Sequence, residues 1–197
     1  MDSTVTLAIE QPKRAITSGV LGMVFLLATE TMLFAGFISS FIVNRSTVSV
    51  WPPVGQPRLP IEITFINTLI LLASGVLYTL YARTYKAGKG SVTGITHLLG
   101  AIALGATFVS IQGYEWVQLL SFGLTSKSNL YGAYFYMIIG AHAVHVMVGL
   151  TLLVYLFFFV KSNKTFERIS DKITITGLYW FFVVGIWPLL YYLVYIS

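Results

Sequence analysis

Long apolar stretches alternate with short polar segments along the whole chain. Five of the stretches are long enough to cross a bilayer as helices, which takes about 20 mostly apolar residues. Helices are expected because a segment inside lipid must pair every backbone group within itself. The predicted spans are residues 20–43, 62–81, 95–120, 131–160 and 175–196. The pattern therefore predicts an all-α integral membrane protein, a bundle of five transmembrane helices.

The segments that flank the first span differ from the spans in composition. Residues 1–19 contain no apolar run and are predicted to form a polar amino-terminal tail, followed by a single membrane domain at 20–196. The first apolar stretch is longer than a signal-peptide core, so we expect it to be retained. The loop at 44–61 holds four prolines, which exclude a helix. We expect this loop to cap one face of the bundle, with Trp51 at the membrane interface.

Lysine and arginine are unevenly distributed between the two sides of the predicted bundle. Nine of the twelve lie in the amino-terminal tail and in the second-to-third and fourth-to-fifth connections, and three lie on the other side. The excess predicts a cytoplasmic amino terminus and a carboxyl terminus outside. Because these residues lie near the membrane edges, they indicate topology and not nucleic-acid binding.

Composition narrows the possible functions further. The chain of 197 residues is 56% hydrophobic and 10% charged, whereas soluble domains carry about 25% charged residues. Cysteine is absent, which excludes disulfides, thiolate metal sites and a cysteine nucleophile. No phosphate-binding glycine loop, metalloprotease motif or Ser/His/Asp pattern occurs. The sequence predicts no catalytic residue.

Glu30 is an acid well inside the first predicted span. It lies about 15 Å into the membrane at 1.5 Å per residue, near the midplane. His145 lies near the middle of the fourth span, so the two share a depth. A hydrogen bond from Glu30 to His145 would offset the cost of burying both. The alternative is a protonated Glu30 that bonds a backbone carbonyl and simply holds helices together.

His142 and His145 are three residues apart, on one face of the fourth helix. Two imidazoles could begin a metal site, but a metal takes three or four ligands. The third histidine of the chain, His97, lies near the cytoplasmic end of the third span, far in depth from His145. We therefore expect no metal at this pair, and we expect His142 to hydrogen-bond a neighbouring helix.

Three further polar residues fall inside spans. Glu115, in the segment SIQGYEWVQLL, lies towards the end of the third span and suits an interface or a contact with another subunit. The alternative is an interfacial acid whose carboxyl reaches water. Asn67 and Thr68 are expected to bond across helices.

Small residues and one proline mark further packing positions. The pairs Gly36 with Ser40 and Ala101 with Gly105 have the four-residue spacing that allows helices to approach closely. Pro188 lies inside the fifth span and is expected to kink it or to free the carbonyl of Val184.

Five stretches of the chain, in order, resemble the subunit III family of haem–copper oxidases, best known from cytochrome c oxidase. They are GMVFLLATETMLFAGFISSFIV, WPPVG followed by INTLILLASGV, QGYEW, YGAYFYMIIGAHAVHVMVGL and YWFFVVGIW. Within them Glu30 matches the family's membrane glutamate, QGYEW its Q-x-x-E-[YW] segment, and both histidines of the fourth helix match its H-G-x-H pattern.

The resemblance has two departures and one difference in length. Phe181 and Val184 stand where the family has histidine and aspartate, and LYAR stands where it has WAHH. The chain also matches a five-helix bacterial form, without the first two helices of the seven-helix members. The lipid-filled cleft of the longer members would need helices from another subunit.

What the resemblance implies is an accessory, non-redox subunit of a respiratory terminal oxidase that reduces oxygen to water and pumps protons. Such a subunit stabilises subunit I, binds structural phospholipid and supports proton uptake in the bacterial cytoplasmic membrane. Haem and copper would reside in the partner subunits, with none bound by this chain. Other oxidase subunits and a larger respiratory supercomplex are implied as partners. Glu30, His142, His145 and Glu115 are then the candidates for buried proton-linked or lipid-associated positions.

Two other functions remain open on the sequence. The same fold could serve a quinol oxidase or a nitric oxide reductase system. A stand-alone transporter that uses Glu30 as its proton site is the third possibility.

Overall fold

Five long α-helices form the described part of the chain, which comprises residues 17–51, 53, 59–87, 92–162 and 166–196 of a computed structural model. All five are long and apolar enough to cross a membrane, and the described residues contain no strand. The predicted all-α fold with five spans is therefore confirmed. The helices are α1 (Ser18–Ser46), α2 (Ile61–Lys86), α3 (Val92–Ser121), α4 (Leu130–Lys161) and α5 (Phe166–Tyr191), and a π-helical turn at Tyr192–Ile196 follows directly.

The fifth helix begins at Phe166, well before the apolar stretch predicted from residue 175. Its first turns are amphipathic, because Ile169 and Ile173 are buried while Arg168 is exposed. A search for continuous apolar residues misses such a segment. The predictions for most of the amino-terminal tail and for part of the proline-rich loop concern residues 1–16, 52 and 54–58, which lie outside the described residues.

Consecutive helices run antiparallel, and their paired contacts show this directly. Along α2 and α3, Thr64 contacts Glu115 while Ser74, further along α2, donates to the carbonyl of Ala101, earlier on α3. α5 packs against α1, α2 and α4, so it joins the helices of the bundle. α1 packs chiefly on α5 and α4 and lies at the edge of the bundle.

The turn between α3 and α4 is fixed by a glycine and by a capping side chain. Gly123 has φ of 87°, a conformation that glycine adopts without a steric penalty. The backbone N–H groups of Gly123 and Leu124 donate to the carbonyls of Leu120 and Leu119, the pattern of a Schellman motif. Asn129 then caps α4, because its side chain accepts from the N–H of Gly132 at 2.9 Å.

Trp180 of α5 packs against one glycine of α3 and one glycine of α4. A Cβ atom at Gly105 would lie 2.9 Å from the indole, and one at Gly149 would lie 2.7 Å from it. The predicted close approach at Ala101 and Gly105 is therefore confirmed, with Ala101 fully buried. Small residues here leave room for the largest side chain of the core.

Gly36 behaves differently from Gly105. A Cβ atom at Gly36 would meet nothing within 4 Å, so Gly36 does not bring α1 close to another helix in the described structure, although Ser40 contacts Tyr134 of α4. α1 touches the bundle through its other face, where Phe34 and Phe41 are buried. Sequence spacing fixes which residues share a face but not which face meets a neighbour.

Pro188 lies inside α5, and the helix continues past it. Proline has no N–H, so the carbonyl of Val184 loses its ordinary helical partner, as predicted. The helix then widens into the π-helical turn at Tyr192–Ile196, which buries Val194 and Tyr195. This turn sets the direction in which the hydroxyl of Tyr195 points.

Candidate functional site

The predicted contact between Glu30 of α1 and His145 of α4 is present. Nε2 of His145 lies 2.9 Å from Oε2 of Glu30, near the middle of both helices. The two side chains are 24% and 13% exposed for Glu30 and His145 respectively. The ring of Phe34 packs edge-on against His145 with centroids 5.1 Å apart. A carboxyl and an imidazole thus join the edge helix to the bundle.

Hydrogen-bond geometry fixes how many protons this pair holds. Nδ1 of His145 lies 2.7 Å from the carbonyl oxygen of Ala141, which can only accept, so Nδ1 carries a hydrogen. One further hydrogen must lie between Nε2 and the Glu30 oxygen. If it belongs to the nitrogen the pair is imidazolium and carboxylate, and if it belongs to the oxygen the pair is neutral. In both cases the pair has zero net charge, as burial in an apolar bundle favours.

A second polar contact between α1 and α4 lies about three turns from the first. The hydroxyl of Tyr134 is 2.7 Å from that of Ser40, and the amide of Asn44 donates to it at 2.6 Å. Sequence reasoning missed this contact, although Asn44 and Ser40 are four apart on one helix face. Their spacing was a usable signal, but their partner Tyr134 could only be found from the packing.

His142 does not hydrogen-bond a neighbouring helix, so that prediction is wrong. The residue is 1% exposed, and neither ring nitrogen has a hydrogen-bond partner in the described part of the chain. The ring instead stacks on Trp187 of α5, with centroids 4.8 Å apart and an interplanar angle of 26°. His142 therefore serves in the bundle as an aromatic packing residue.

Glu115 lies at the centre of a buried polar cluster and does not reach water. It is 1% exposed, and its two oxygens lie 3.1 Å from Oγ1 of Thr64 on α2. Gln112, one turn earlier on α3, donates to Oε2 at 2.9 Å and to the hydroxyl of Tyr195 at 3.1 Å. The alternative of an interfacial acid whose carboxyl reaches water is thus wrong for this chain. The cluster joins α2, α3 and the π-helical turn.

Asn67 and Thr68 bond across helices, as predicted. The amide of Asn67 donates to the backbone carbonyl of Phe108 on α3 at 3.1 Å. Oγ1 of Thr68 accepts from the indole N–H of Trp187 on α5 at 2.9 Å. The same indole ring carries the stack with His142, so Thr68 orients the residue on which His142 packs.

A small cavity of about 80 Å³ lies between α3, α4 and α5. Three of its lining residues, Gln112, Trp116 and His142, each have a buried polar atom without a partner in the described structure. Its other lining residues are apolar or glycine. The cavity lies beside the stack of His142 on Trp187.

Two positions of α5, Phe181 and Val184, depart from the family pattern, and each packs against a residue of α2. Val184 is buried against Gly75 of α2, where a Cβ atom would lie 3.2 Å from the valine. Phe181 packs edge-on against Tyr78 with centroids 5.7 Å apart. Among the described residues, no group of three or more histidine, cysteine, aspartate or glutamate side chains converges.

The comparisons with known proteins agree on one family. A family model described as cytochrome c oxidase subunit III matches residues 6–197. The chain is similar to cytochrome c oxidase subunit 3 of Synechocystis, with 30% identity over 177 residues that cover 89% of this chain and 74% of that protein. It is also similar to a probable cytochrome c oxidase subunit 3 of Nocardia farcinica, with 31% identity over 196 residues that cover 93% and 95% of the two chains.

A third relative shows the same likeness over a smaller share of its length. Cytochrome c oxidase subunit 3 of Lemur catta is 33% identical over 180 residues, which cover 88% of this chain and 64% of that protein.

Proposed function

The chain belongs to the subunit III family of cytochrome c oxidase and is a membrane subunit of a haem–copper oxidase, and we propose that its part in that complex is structural and not catalytic. It buttresses subunit I, holds structural phospholipid and supports proton uptake during turnover. The redox metals lie in the partner subunits. The relatives' names specify cytochrome c as electron donor, and we extend that donor to this chain.

The contact between Glu30 and His145 supports this proposal most directly. α1 has little burial of its own, since only Phe34 and Phe41 among its residues are buried. Many of its other apolar side chains, among them Phe25 and Met32, are exposed and available to lipid or to another subunit. A hydrogen-bonded pair of zero net charge, near the middle of α1 and α4, holds such a helix in place at little electrostatic cost. The pair is thus suited to fixing the surface on which a partner subunit rests.

The proposed orientation follows the distribution of basic residues. With the amino terminus in the cytoplasm of a bacterial cell, the loop between α1 and α2 and the cluster around Glu115 lie near the outer face. Reporter fusions to the two termini would test this orientation. An accessible amino terminus on the outer side would contradict it.

An apolar groove of about 680 Å³ supports the proposed phospholipid site. It runs along α4 beside α3, and Gly140, Val144, Met147 and Val148 line it. Its volume lies within the usual range for ligand sites, and its lining suits an acyl chain. Val144→Trp would fill the groove, so the purified oxidase should retain fewer lipid molecules by native mass spectrometry. Val76→Trp, at a comparably exposed valine of α2, is the matched control and should retain them all.

The central experiment replaces Glu30 in the complete oxidase. Glu30→Ala should reduce the amount of this subunit in the purified complex and the number of turnovers before inactivation. Glu30→Gln should keep the amount of subunit and the number of turnovers close to wild type, because an amide can still donate to Nε2 of His145. If Glu30 instead transferred protons during turnover, Glu30→Gln would lose function as Glu30→Ala does.

Glu62→Ala is the control for loss of an acid. Glu62 lies in the first turn of α2, where it is exposed and suits the positive end of the helix dipole. We expect this variant to assemble and turn over normally. Wild-type assembly and wild-type resistance to inactivation in Glu30→Ala would refute the structural role.

A further inference from the structure

The cluster around Glu115 contains a buried carboxyl that has no cationic partner. No lysine, arginine or histidine pairs with it in the described structure, and its contacts are those with Thr64 and Gln112. A buried ionised carboxylate is costly unless a cation or several strong donors compensate it. This situation differs from that of Glu30, which has an imidazole beside it.

The hydrogens in the contacts of Glu115 with Thr64 and Gln112 can be placed if Glu115 is protonated. The hydroxyl of Thr64 has one hydrogen, and its oxygen lies 2.9 Å from the carbonyl oxygen of Pro60, which can only accept. With that hydrogen directed to Pro60, the oxygen of Thr64 is free to accept. A hydroxyl on Glu115 supplies the hydrogen for this 3.1 Å contact. The other carboxyl oxygen, Oε2, accepts from the amide of Gln112.

The groups that face Glu115 from the carboxyl-terminal elements are phenols. Tyr195 of the π-helical turn accepts from the same Gln112 amide, and Tyr191 of α5 donates to the carbonyl of Ile61 at 3.0 Å. Neither supplies a positive charge. An ionised Glu115 would therefore be a lone negative charge among neutral groups, whereas a carboxylic acid matches them.

We propose that Glu115 is a proton-binding site, a neutral carboxylic acid whose proton bridges α3 to Thr64 of α2. Gln112 extends the same hydrogen-bonded unit to Tyr195 in the π-helical turn. The bound proton thus joins α2 to α3 at one end of the bundle, and the amide of Gln112 joins α3 to the π-helical turn. This site is separate from the pair of Glu30 and His145, and it does not depend on the proposed role of that pair.

The test uses infrared absorption of the purified oxidase and the variant Glu115→Gln. A protonated carboxyl has a C=O stretching band well separated from the bands of ionised carboxylates. The difference spectrum between wild type and Glu115→Gln should show the loss of one such band. Glu62→Gln, at the exposed acid of α2, should remove carboxylate bands only. A Glu115→Gln spectrum that lacks only carboxylate bands would overturn the proposal.

Assembly of the variants gives a second, independent readout. An amide replaces each hydrogen bond of the neutral acid, because its N–H donates to Thr64 and its oxygen accepts from Gln112. Glu115→Gln should therefore enter the oxidase at the wild-type level, and Glu115→Leu should be lost from it. Failure of Glu115→Gln to assemble would contradict a neutral Glu115.

Discussion

The contact of α1 with α4 and the core around α5 are built on different principles. α1 buries only Phe34 and Phe41, and two polar contacts fix it on α4, Glu30 with His145 and Tyr134 with Asn44 and Ser40. The core around α5 is held by interlocking aromatic side chains, with Trp180 and Trp187 fully buried. In the first region the hydrogen bonds orient a helix that has little buried surface. In the second region the packing of large side chains orients the helices, and the hydrogen bonds form between helices that packing already holds.

Two neighbouring histidines express this difference on a single helix. His145 uses both ring nitrogens, while His142, one turn away, uses neither within the described structure. A shared residue type at helical spacing thus carries two unrelated roles. The partner helix decides the role, because α1 offers a carboxyl and α5 offers an indole ring.

The pair of Glu30 and His145 should give the largest effect in the α1 region. His145→Leu leaves the carboxyl without its partner, which costs about 2–3 kcal/mol for a buried polar group. The double variant with Glu30→Leu should recover a large part of this loss. The measurement is a double-mutant cycle on the thermal stability of the subunit in the purified oxidase. Additive losses would mean that the two residues do not interact, and the comparison would break.

The glycines beside Trp180 should give the next largest effect, in the core around α5. Gly149→Ala places a Cβ atom 2.7 Å from the indole, and such overpacking costs about 2 kcal/mol. Gly36→Ala is the matched control in α1, because its Cβ atom would meet nothing in this chain. Thermal denaturation of the two variant complexes should show a clear loss of stability only for Gly149→Ala. Equal losses would show that packing constrains both regions alike.

The hydroxyl of Tyr134 tests the second contact of α1. Tyr134→Phe removes the group that binds Ser40 and Asn44, and an interhelical hydrogen bond inside a membrane contributes about 0.6 kcal/mol. Asn44 keeps its bond to the carbonyl of Ser40 at 2.9 Å, which limits the loss. Retention of the subunit at rising detergent concentration should fall slightly. A loss as large as that of His145→Leu would shift the main anchor of α1 to this contact.

His142→Phe should have the smallest effect of the four substitutions. The ring can still stack on Trp187, and removing two unpaired buried nitrogens offsets the change in volume, so we expect less than about 0.5 kcal/mol. The thermal stability of the variant complex is the measurement. A substantial loss would show that water or another subunit completes the hydrogen bonds of His142, which would make the two histidines more alike.

The depth of a residue in the membrane could be predicted from the sequence, and most of the confirmed predictions rest on it. The five spans follow from the number of apolar residues, and the similar positions of Glu30 and His145 in two spans put them at one depth, where a contact could form. Asn67 and Thr68 also bond across helices as expected, because a polar side chain inside an apolar helix needs a partner.

Rotation about each helix axis could not be predicted in the same way. The position of Glu115 along α3 gave no sign that its carboxyl points inward to Thr64, and the partner of His142 depended on which helix lies beside it. Gly36 and Gly105 have equivalent sequence signals, yet only Gly105 meets a neighbour. A single sequence gives the order of residues along a helix, whereas the facing surfaces arise from all five helices together.

The central place of α5 has a consequence for biogenesis. α5 is the last of the five helices to leave the ribosome, and it supplies Trp180 and Trp187, which fill the core between helices made earlier. α1, the first of the five to enter the membrane, packs chiefly on α5 and α4. α1 therefore cannot complete its packing until almost the whole chain has been synthesised. The earliest segment to be inserted is thus the longest exposed to membrane proteases and insertion chaperones.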